Sequence, residues 1–317
     1  MSLATSLAVR LMELAPAAHP AIDDPRYAQI FNHPDYLNGS ADYRRSVRRK
    51  SSQYRYDYET KENTFETFFP DAVSFRSSFR GARMLDLGCL TGGRTAAWTE
   101  IYQPSESHGF DIKEVYIEAA REFAEQMGHP SKFKVGFAED MPYDDDFFDV
   151  VATFDVLEHV QDVEKAMSES LRVLRPGGRL YAVFPPYYNP FAAHLGLATR
   201  MHGLGLLFSG EVLAEAHHEV IRRRGPEHDW YNDPPELPDY YKAPFLNGIT
   251  VARFREIVES QGWSIESWPV KPILTQGRRS RAAHFKAIAS AVRPLASVPR
   301  LEEVFVGSVT VVLRNPE

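Results

Sequence analysis

The stretch from Met84 to Gly93, MLDLGCLTGG, constrains the fold of this chain more than any other. Its first four residues are mostly apolar, carry one carboxylate at Asp86 and lead into glycines at positions 88, 92 and 93. A helical pattern follows, with Trp98 and Ile101 apolar. A strand, a glycine turn and a helix in this order present backbone N–H groups at a helix N-terminus. Because glycine lacks a Cβ atom, a ligand can approach the main chain there, and we expect a nucleotide-bearing cofactor.

Two familiar nucleotide-binding patterns do not fit this turn. The dinucleotide fingerprint is G-x-G-x-x-G, whereas the chain gives G-x-L-x-G-G from Gly88. The phosphate-binding loop of nucleoside triphosphatases requires G-K-[ST], whereas Arg94 and Thr95 follow Gly93 here. An NAD(P)-dependent oxidoreductase on a similar fold therefore remains an alternative, although the chain lacks the usual signature of such enzymes.

The turn resembles motif I of the class I S-adenosylmethionine (SAM) methyltransferases, L-D-x-G-C-G-x-G. In that family, the turn holds the amino-acid end and the ribose of SAM. The chain departs from the motif at Leu90, where the family has glycine. A leucine is costly there if the position requires a positive φ. A SAM-binding protein without catalytic activity is therefore a further alternative.

Asp111 lies at the tip of the next predicted strand, nineteen residues after Gly92. An acidic residue at this place can accept hydrogen bonds from both ribose hydroxyls. The alternative is that Asp111 caps the helix that follows it. Position and spacing together favour contact with the ribose.

Three later blocks extend the resemblance over roughly residues 80–185. Family members commonly have G-D-A-E-x-L-P-F after the third strand, where this chain has Gly136 to Tyr143, with Phe137 in place of the aspartate. FDVLEHV (154–160) follows the predicted fourth strand, and LRPGGRLYAVF (174–184) holds a Pro-Gly-Gly turn before the fifth. The resemblance implies the following cofactor contacts: Asp86, Gly88, Cys89, Leu90, Gly92, Asp111, Ile112, Ala138, Glu139, Phe154 and Asp155.

Residues 1–80 are predicted to be a helical cover. In the resembled family an N-terminal helix often folds over the cofactor, so Arg55, Tyr56 or Tyr58 are candidates to cover it. Packing of the tyrosines on the domain surface is the alternative. The basic run RRSVRRK (44–50) is typical of a solvated helix face.

Residues 187–247 are an insertion that we predict to be a substrate lid, because loops beside strand ends usually shape pockets. It holds histidines and aromatic residues: His194, His202, His217, His218, His228, Trp230, Tyr231, Tyr240 and Tyr241. His217 and His218 would diverge by about 100° on a helix, and no H-x-x-x-H or C-x-x-C pattern is present. We therefore predict no metal site. DPPELPDYY (233–241) is typical of an extended loop.

Composition and net charge indicate the size of the core, the kinds of partner and the expected cellular location. The chain has 317 residues, 44% of them hydrophobic, which is enough for one large core. Its net charge of −7 does not favour nucleic-acid binding. The single cysteine, Cys89, permits no intramolecular disulfide and is typical of a packing residue. With no convincing secretory signal or membrane span, we expect a cytoplasmic protein without membrane partners. Homodimerisation is left open.

The resemblance implies an α/β fold: a Rossmann-like, mostly parallel seven-stranded sheet of order 3-2-1-4-5-7-6. The predicted parts are the cover (1–80), the SAM-binding core (81–186), the lid (187–247) and the C-terminal part of the sheet (248–317). We expect a methyltransferase for a small organic molecule, with oxygen methylation of a natural product or sugar favoured over nitrogen or carbon. His159 is the candidate base, since imidazole titrates near pH 7. Its alternative is packing or helix capping.

Overall fold

A computed structural model describes residues 1–17, 24, 26, 31, 33–69, 73–191, 194–225, 246–275 and 283–316. Its helices are α1 (Leu3–Leu14), α2 (Pro34–Leu37), α3 (Ala41–Glu62), α4 (Thr64–Phe68), α5 (Val73–Phe79), α6 (Gly93–Tyr102), α7 (Glu114–Met127), α8 (Val163–Val173), α9 (Gly210–Arg224), α10 (Val251–Ser260), α11 (Ala283–Val292) and α12 (Glu302–Phe305). Its strands are β1 (Arg83–Leu87), β2 (Glu106–Asp111), β3 (Lys132–Val135), β4 (Phe148–Phe154), β5 (Leu174–Phe184), β6 (Ser264–Ser267) and β7 (Val309–Arg314).

The seven strands form one sheet in the order β3-β2-β1-β4-β5-β7-β6. β1 to β5 run parallel, and β7 is antiparallel to both β5 and β6. Order and direction confirm the predicted Rossmann-like sheet. Because the strands alternate with helices along the chain, the carboxyl ends of β1, β2 and β4 meet at one edge, where ligands bind in open α/β sheets.

The central strands are buried because helices cover both faces of the sheet. β1 and β4 are apolar and almost wholly buried, as expected for parallel strands. The prediction that the Pro176-Gly177-Gly178 turn precedes β5 is wrong. These residues lie inside the strand, where the pairing of β4 with β5 shifts register between Phe148 and Val150. A local irregularity therefore replaces the expected turn.

Helix α4 anchors the N-terminal segment to the sheet. The ring of Phe65 is fully buried and lies against Trp98, Phe154 and Tyr181, with ring centroids 5.2 to 5.3 Å apart. Aromatic pairs at such spacing contribute about 0.5–1.5 kcal/mol beyond their area burial. This contact fixes the start of the segment that leads into β1.

The N-terminal helix and the insertion pack against each other. Val9 and Met12 of α1 share one buried apolar cluster with Leu213 and Val220 of α9. Thr5 Oγ1 donates a hydrogen bond to a carboxylate oxygen of Glu215 at 2.5 Å. The two segments predicted as cover and lid thus form a common helical layer in the described part of the chain.

The predictions for the loop 233–241 lie outside the described residues, as do those for His228, Trp230, Tyr231, Tyr240 and Tyr241. Among the described residues, no helix combines the length and apolar character needed to cross a membrane.

Candidate functional site

The turn between β1 and α6 folds back on itself through three left-handed residues. Gly88, Leu90 and Gly92 have φ of 80°, 47° and 72°. The amides of Gly88 and Cys89 both donate to the carbonyl of Phe110 on β2, at 2.7 and 3.1 Å. Leu90 therefore adopts the positive φ that the sequence indicated would be costly. A left-handed conformation costs a non-glycine residue roughly 1–2 kcal/mol.

Neighbouring protein atoms explain the glycines of this turn. A Cβ atom at Gly88 would lie 2.1 Å from Val156 Cγ2, and one at Gly93 would lie 2.0 Å from the carbonyl oxygen of Ser52. A Cβ atom at Gly92 would lie 2.6 Å from Ala120 Cβ. The sequence argument assigned these glycines to close approach of a ligand. In the structure, they allow α3, α7 and the loop after β4 to approach the turn.

Asp86 is fully buried at the end of β1 and holds the turn from below. Its carboxylate accepts hydrogen bonds from Arg94 Nη2 at 2.6 Å and from Thr95 Oγ1 at 2.7 Å. Arg94 Nη2 also donates to the carbonyl of Gly88 at 3.0 Å. Attraction to Asp86 outweighs burial and raises the pKa of Arg94. The contacts of Asp86 are thus with its own chain, and it positions the turn.

Asp111 ends β2 beside the same turn. One carboxylate oxygen accepts the amide of Leu90 at 2.9 Å, and the other accepts the amide of Lys113 at 3.2 Å. The N-cap residue of α7 is Lys113 rather than Asp111. Burial raises the pKa of Asp111 to about 6, although both amides act to lower it. Each oxygen has a second lone pair for a hydroxyl donor.

Charged groups of opposite sign lie near the turn between β1 and α6. Arg55 on α3 is half-buried and forms no hydrogen bond or ion pair among the described residues. Burial and the nearby charge of Arg94 lower its pKa. Asp155, just after β4, has a φ of 55°, and burial raises the pKa of its carboxyl. Since Asp155 lies within electrostatic range of Arg55, a cation and an anion lie close to the turn after β1 and the end of β4. We call this region the cleft.

The family model described as a methyltransferase domain matches residues 85–182. This match spans the turn, Asp111 and the whole of the parallel sheet. The chain carries a class I, SAM-dependent methyltransferase domain.

Curated relatives of this methyltransferase domain have different acceptors in their names. The chain is 34% identical over 119 residues to the uncharacterized methyltransferase YcgJ of Bacillus subtilis, covering 36% of this chain and 46% of the relative. It is 38% identical over 96 residues to norajmaline N-methyltransferase of Rauvolfia serpentina, covering 30% and 32%. It is 33% identical over 128 residues to a ubiquinone/menaquinone biosynthesis C-methyltransferase of Vibrio vulnificus, covering 36% and 49%. The chain thus spans at most about half of these relatives.

Ala138 and Glu139 follow β3, the edge strand next to β2. Ala138 is buried, while Phe137 is 43% exposed at the sheet edge. Glu139 accepts the amides of Gln161 and Asp162 at 2.7 and 3.2 Å, which ties this segment to the start of α8. The carboxylate of Glu139 therefore has protein partners. Contacts of Ala138, Glu139 and Ile112 with the cofactor stay predictions.

The loop after β4 also carries His159. Its side chain is 39% exposed, and its Nε2 atom lies 3.9 Å from Glu158 Oε1. Asp162 is the N-cap residue of α8, so His159 does not cap that helix. Phe154, the last residue of β4, is buried with its ring against Phe65. A contact of Phe154 with the cofactor stays a prediction.

Two polar residues of this region were not assigned to the site from the sequence, although His194 was named among the histidines of the insertion. Glu158 is 3% exposed, and neither carboxylate oxygen has a hydrogen-bond partner in the described part of the chain. The ring of His194 lies 4.9 Å from that of His159, centroid to centroid. His194 follows His159 by 35 residues, a separation that matches no ligand motif. Glu158 could have been noticed only as an acidic residue inside an apolar segment.

The remaining predicted contacts have packing roles in the structure. Burial raises the pKa of the Cys89 thiol well above its usual value, so the side chain is a neutral packing group. Tyr56 donates a hydrogen bond to Glu100 of α6, and Tyr58 stacks on Tyr54 with ring centroids 6.2 Å apart. Of the three residues proposed to cover the cofactor, Arg55 is the one whose polar group forms no hydrogen bond or ion pair with the described residues.

Proposed function

We propose that this chain is a SAM-dependent methyltransferase that methylates an oxygen of a small organic molecule, a natural product or a sugar. The observation that carries the proposal is the set of charges around one cleft. Arg55 and Asp155 lie within electrostatic range of each other, Arg55 lies beside Gly93 at the end of the turn, and Asp111 contacts the same turn through Leu90. SAM has a carboxylate, a ribose diol and two positive groups, so each side chain has a counterpart.

The residues of the cleft suggest how the donor would be held. The guanidinium of Arg55 would bind the SAM carboxylate, because an unpaired half-buried cation gains most from an anionic partner. Asp111 would accept the ribose hydroxyls while keeping its hydrogen bond from Leu90. Asp155 would accept from the amino group. When bound, SAM supplies a methyl group already activated by its positive sulfur, so the protein chiefly aligns the reactants and excludes water.

The packing of α3 argues against an NAD(P)-dependent enzyme. In dinucleotide-binding folds, the pyrophosphate lies at the N-terminus of the helix after the glycine turn. Here the carbonyl of Ser52 on α3 lies against Gly93, the first residue of α6, and Ser52 Oγ donates to the carbonyl of Thr91 at 2.8 Å. Helix α3 thus packs closely against the start of α6, next to the place where a pyrophosphate would bind.

The presence of His159 favours oxygen as the acceptor atom. A hydroxyl must lose its proton as it attacks the methyl group, whereas a free amine need not. His159 is half-buried in the loop after β4, and an imidazole can accept that proton. The alternatives are nitrogen and carbon, the atoms in the names of two relatives.

Donor binding can be tested by calorimetry with SAM, S-adenosylhomocysteine and NAD⁺. We expect micromolar SAM binding and no NAD⁺ binding. Arg55→Ala should weaken SAM binding about 10- to 100-fold, the effect of about 1.5–3 kcal/mol for a charged hydrogen bond. Arg49→Ala, which removes an exposed arginine from the same helix, is the matched control. Equal affinity of the two variants would exclude Arg55 from the donor site.

The acceptor side can be tested through S-adenosylhomocysteine formation with a phenol, a sugar alcohol and an amine. We expect turnover with an oxygen acceptor, and His159→Ala should reduce that turnover about 10²- to 10⁴-fold without changing SAM affinity. Turnover confined to the amine would contradict oxygen methylation. SAM binding with no turnover on any acceptor would favour the non-catalytic alternative.

A further inference from the structure

Three potential metal ligands lie together at the loop after β4, on the proposed acceptor side of the cleft. They are Glu158 and His159, from the loop after β4, and His194, from the insertion. One ligand atom from each, a carboxylate oxygen or an imidazole nitrogen, lies within 4.8 Å of the other two. Two segments distant in the sequence thus converge on one point with the ligand atoms that transition metals prefer.

Glu158 is the residue that calls for a cation. Its side chain is only 3% exposed, and neither carboxylate oxygen has a hydrogen-bond partner among the described residues. His159 Nε2 lies 3.9 Å from one of these oxygens, beyond hydrogen-bond distance, and the nearby side chain of Asp155 is also acidic. A buried carboxylate without hydrogen bonds or a cation is costly, by several kcal/mol per ion.

The main chain around Glu158 is held firmly in place. The side-chain Nδ2 of Asn247 donates to the carbonyls of Leu157 and Val160 at 2.7 and 2.8 Å. The backbone amide of Asn247 donates to the carbonyl of Glu158 at 2.9 Å. The amide of His159 donates to the carbonyl of Val156 at 2.8 Å. These hydrogen bonds fix the main chain with the side chain of Glu158 buried, although neither carboxylate oxygen has a hydrogen-bond partner among the described residues.

We propose that Glu158, His159 and His194 form a binding site for a divalent transition-metal ion of the zinc class. Two imidazoles and one carboxylate, with a fourth position open, are a ligand set of catalytic zinc sites. Two ligands of a tetrahedral ion lie about 3.3 Å apart when each bond is about 2.0 Å. The observed limit of 4.8 Å therefore requires a small side-chain rotation, which the half-exposed His159 and exposed His194 permit.

The consequence for catalysis rests on the proposed function. An ion here would leave one position open toward the acceptor and lower the pKa of a hydroxyl bound to it. His159 would then act as a ligand, and the ion would stabilise the deprotonated oxygen. The metal site itself does not depend on methyl transfer and can be tested without SAM.

Zinc binding by the full-length chain tests the proposal directly. Protein stripped with a chelator is dialysed against Zn²⁺, and bound zinc is measured by atomic absorption. We expect one zinc ion per chain, with at least about tenfold weaker binding in Glu158→Gln and His194→Ala. His129→Ala, which removes a half-buried histidine at the end of α7, should bind as the unchanged protein does. Circular dichroism checks that each variant is folded.

Substitution with Co²⁺ gives a second measurement that does not rely on stoichiometry. A tetrahedral Co²⁺ site with two imidazoles should show visible absorption, and both site variants should lose it while His129→Ala keeps it. Zinc bound in several equivalents and equally by all variants would mean adventitious binding to surface histidines and would overturn the proposal. So would no binding at all. Failure of SAM to bind would instead contradict the proposed function and leave the zinc result intact.

Discussion

Two buried carboxylates, one in β1 and one in the loop after β4, have different surroundings. Asp86 lies beside the turn that we propose to bind the donor (the donor side) and accepts hydrogen bonds from Arg94 and Thr95. Glu158 lies in the loop that we propose to face the acceptor (the acceptor side), and in the described part of the chain its oxygens accept none. Burial is nearly complete for both, at 0% and 3% exposure. The difference therefore lies in their partners rather than in their contact with solvent.

The contrast separates a group that holds the fold from one available for function. A satisfied buried ion pair stabilises local geometry, and removing one member is costly. An unsatisfied buried carboxylate lowers stability, and such groups are tolerated where activity needs them. On the proposed donor side Asp86 thus stabilises the turn, while on the proposed acceptor side Glu158 keeps hydrogen-bonding capacity that the described residues leave unused.

The largest expected effect is on Asp86. Asp86→Ala should lower the free energy of unfolding by about 3–5 kcal/mol, because Arg94 would be left buried without its carboxylate. Urea denaturation measures this loss. Glu164→Gln removes a carboxylate from an exposed pair with Arg253 and should cost less than about 1 kcal/mol. Similar losses in both variants would remove the contrast on the donor side.

The opposite sign is expected for Glu158. In metal-free protein, Glu158→Gln should raise the free energy of unfolding by about 1–2 kcal/mol, because a neutral amide is less costly to bury than an unpaired carboxylate. Denaturation at pH 8 in the presence of a chelator measures the gain. A loss of stability would show that Glu158 has a stabilising partner and would break the comparison.

An intermediate effect is expected on the pH dependence of SAM binding. The pKa of Asp111 is raised to about 6 by burial, and ribose hydroxyls bind best to the ionised form. Affinity for SAM should therefore fall about tenfold as the pH drops from 7 to 5, where Asp111 takes up a proton. Asp111→Asn should bind more weakly at pH 7 and lose this dependence. A variant that keeps the dependence would point to Asp155 instead.

The smallest effect is expected at Leu90. Leu90→Gly relieves a left-handed leucine worth roughly 1–2 kcal/mol, but it adds backbone freedom to the unfolded chain and removes a half-buried side chain. These effects oppose each other, so the free energy of unfolding should change by less than about 1 kcal/mol. SAM affinity should be unchanged. A large loss in denaturation would mean that packing of the leucine stabilises the turn.

Much of the donor side could be predicted from local patterns. The apolar run into glycine at Gly88 and the acid at Asp111 are separated by spacings that strand and helix lengths dictate. The family resemblance added the sheet order, which the structure confirms. The acceptor side was less predictable, because His194 and Asn247 reach the loop of Glu158 from distant points in the chain.

The sequence by itself determined the alternation of strands and helices, the sharp turn at residues 88–92 and the edge of the sheet where ligands would bind. These follow from periodicity and backbone preference, which act over a few residues. The tertiary structure alone decided that the glycines make room for α3, α7 and Val156. It also decided that Asp86 has hydrogen-bond partners while the described residues offer Glu158 none, because the energy of a buried charge depends on neighbours that only folding brings together.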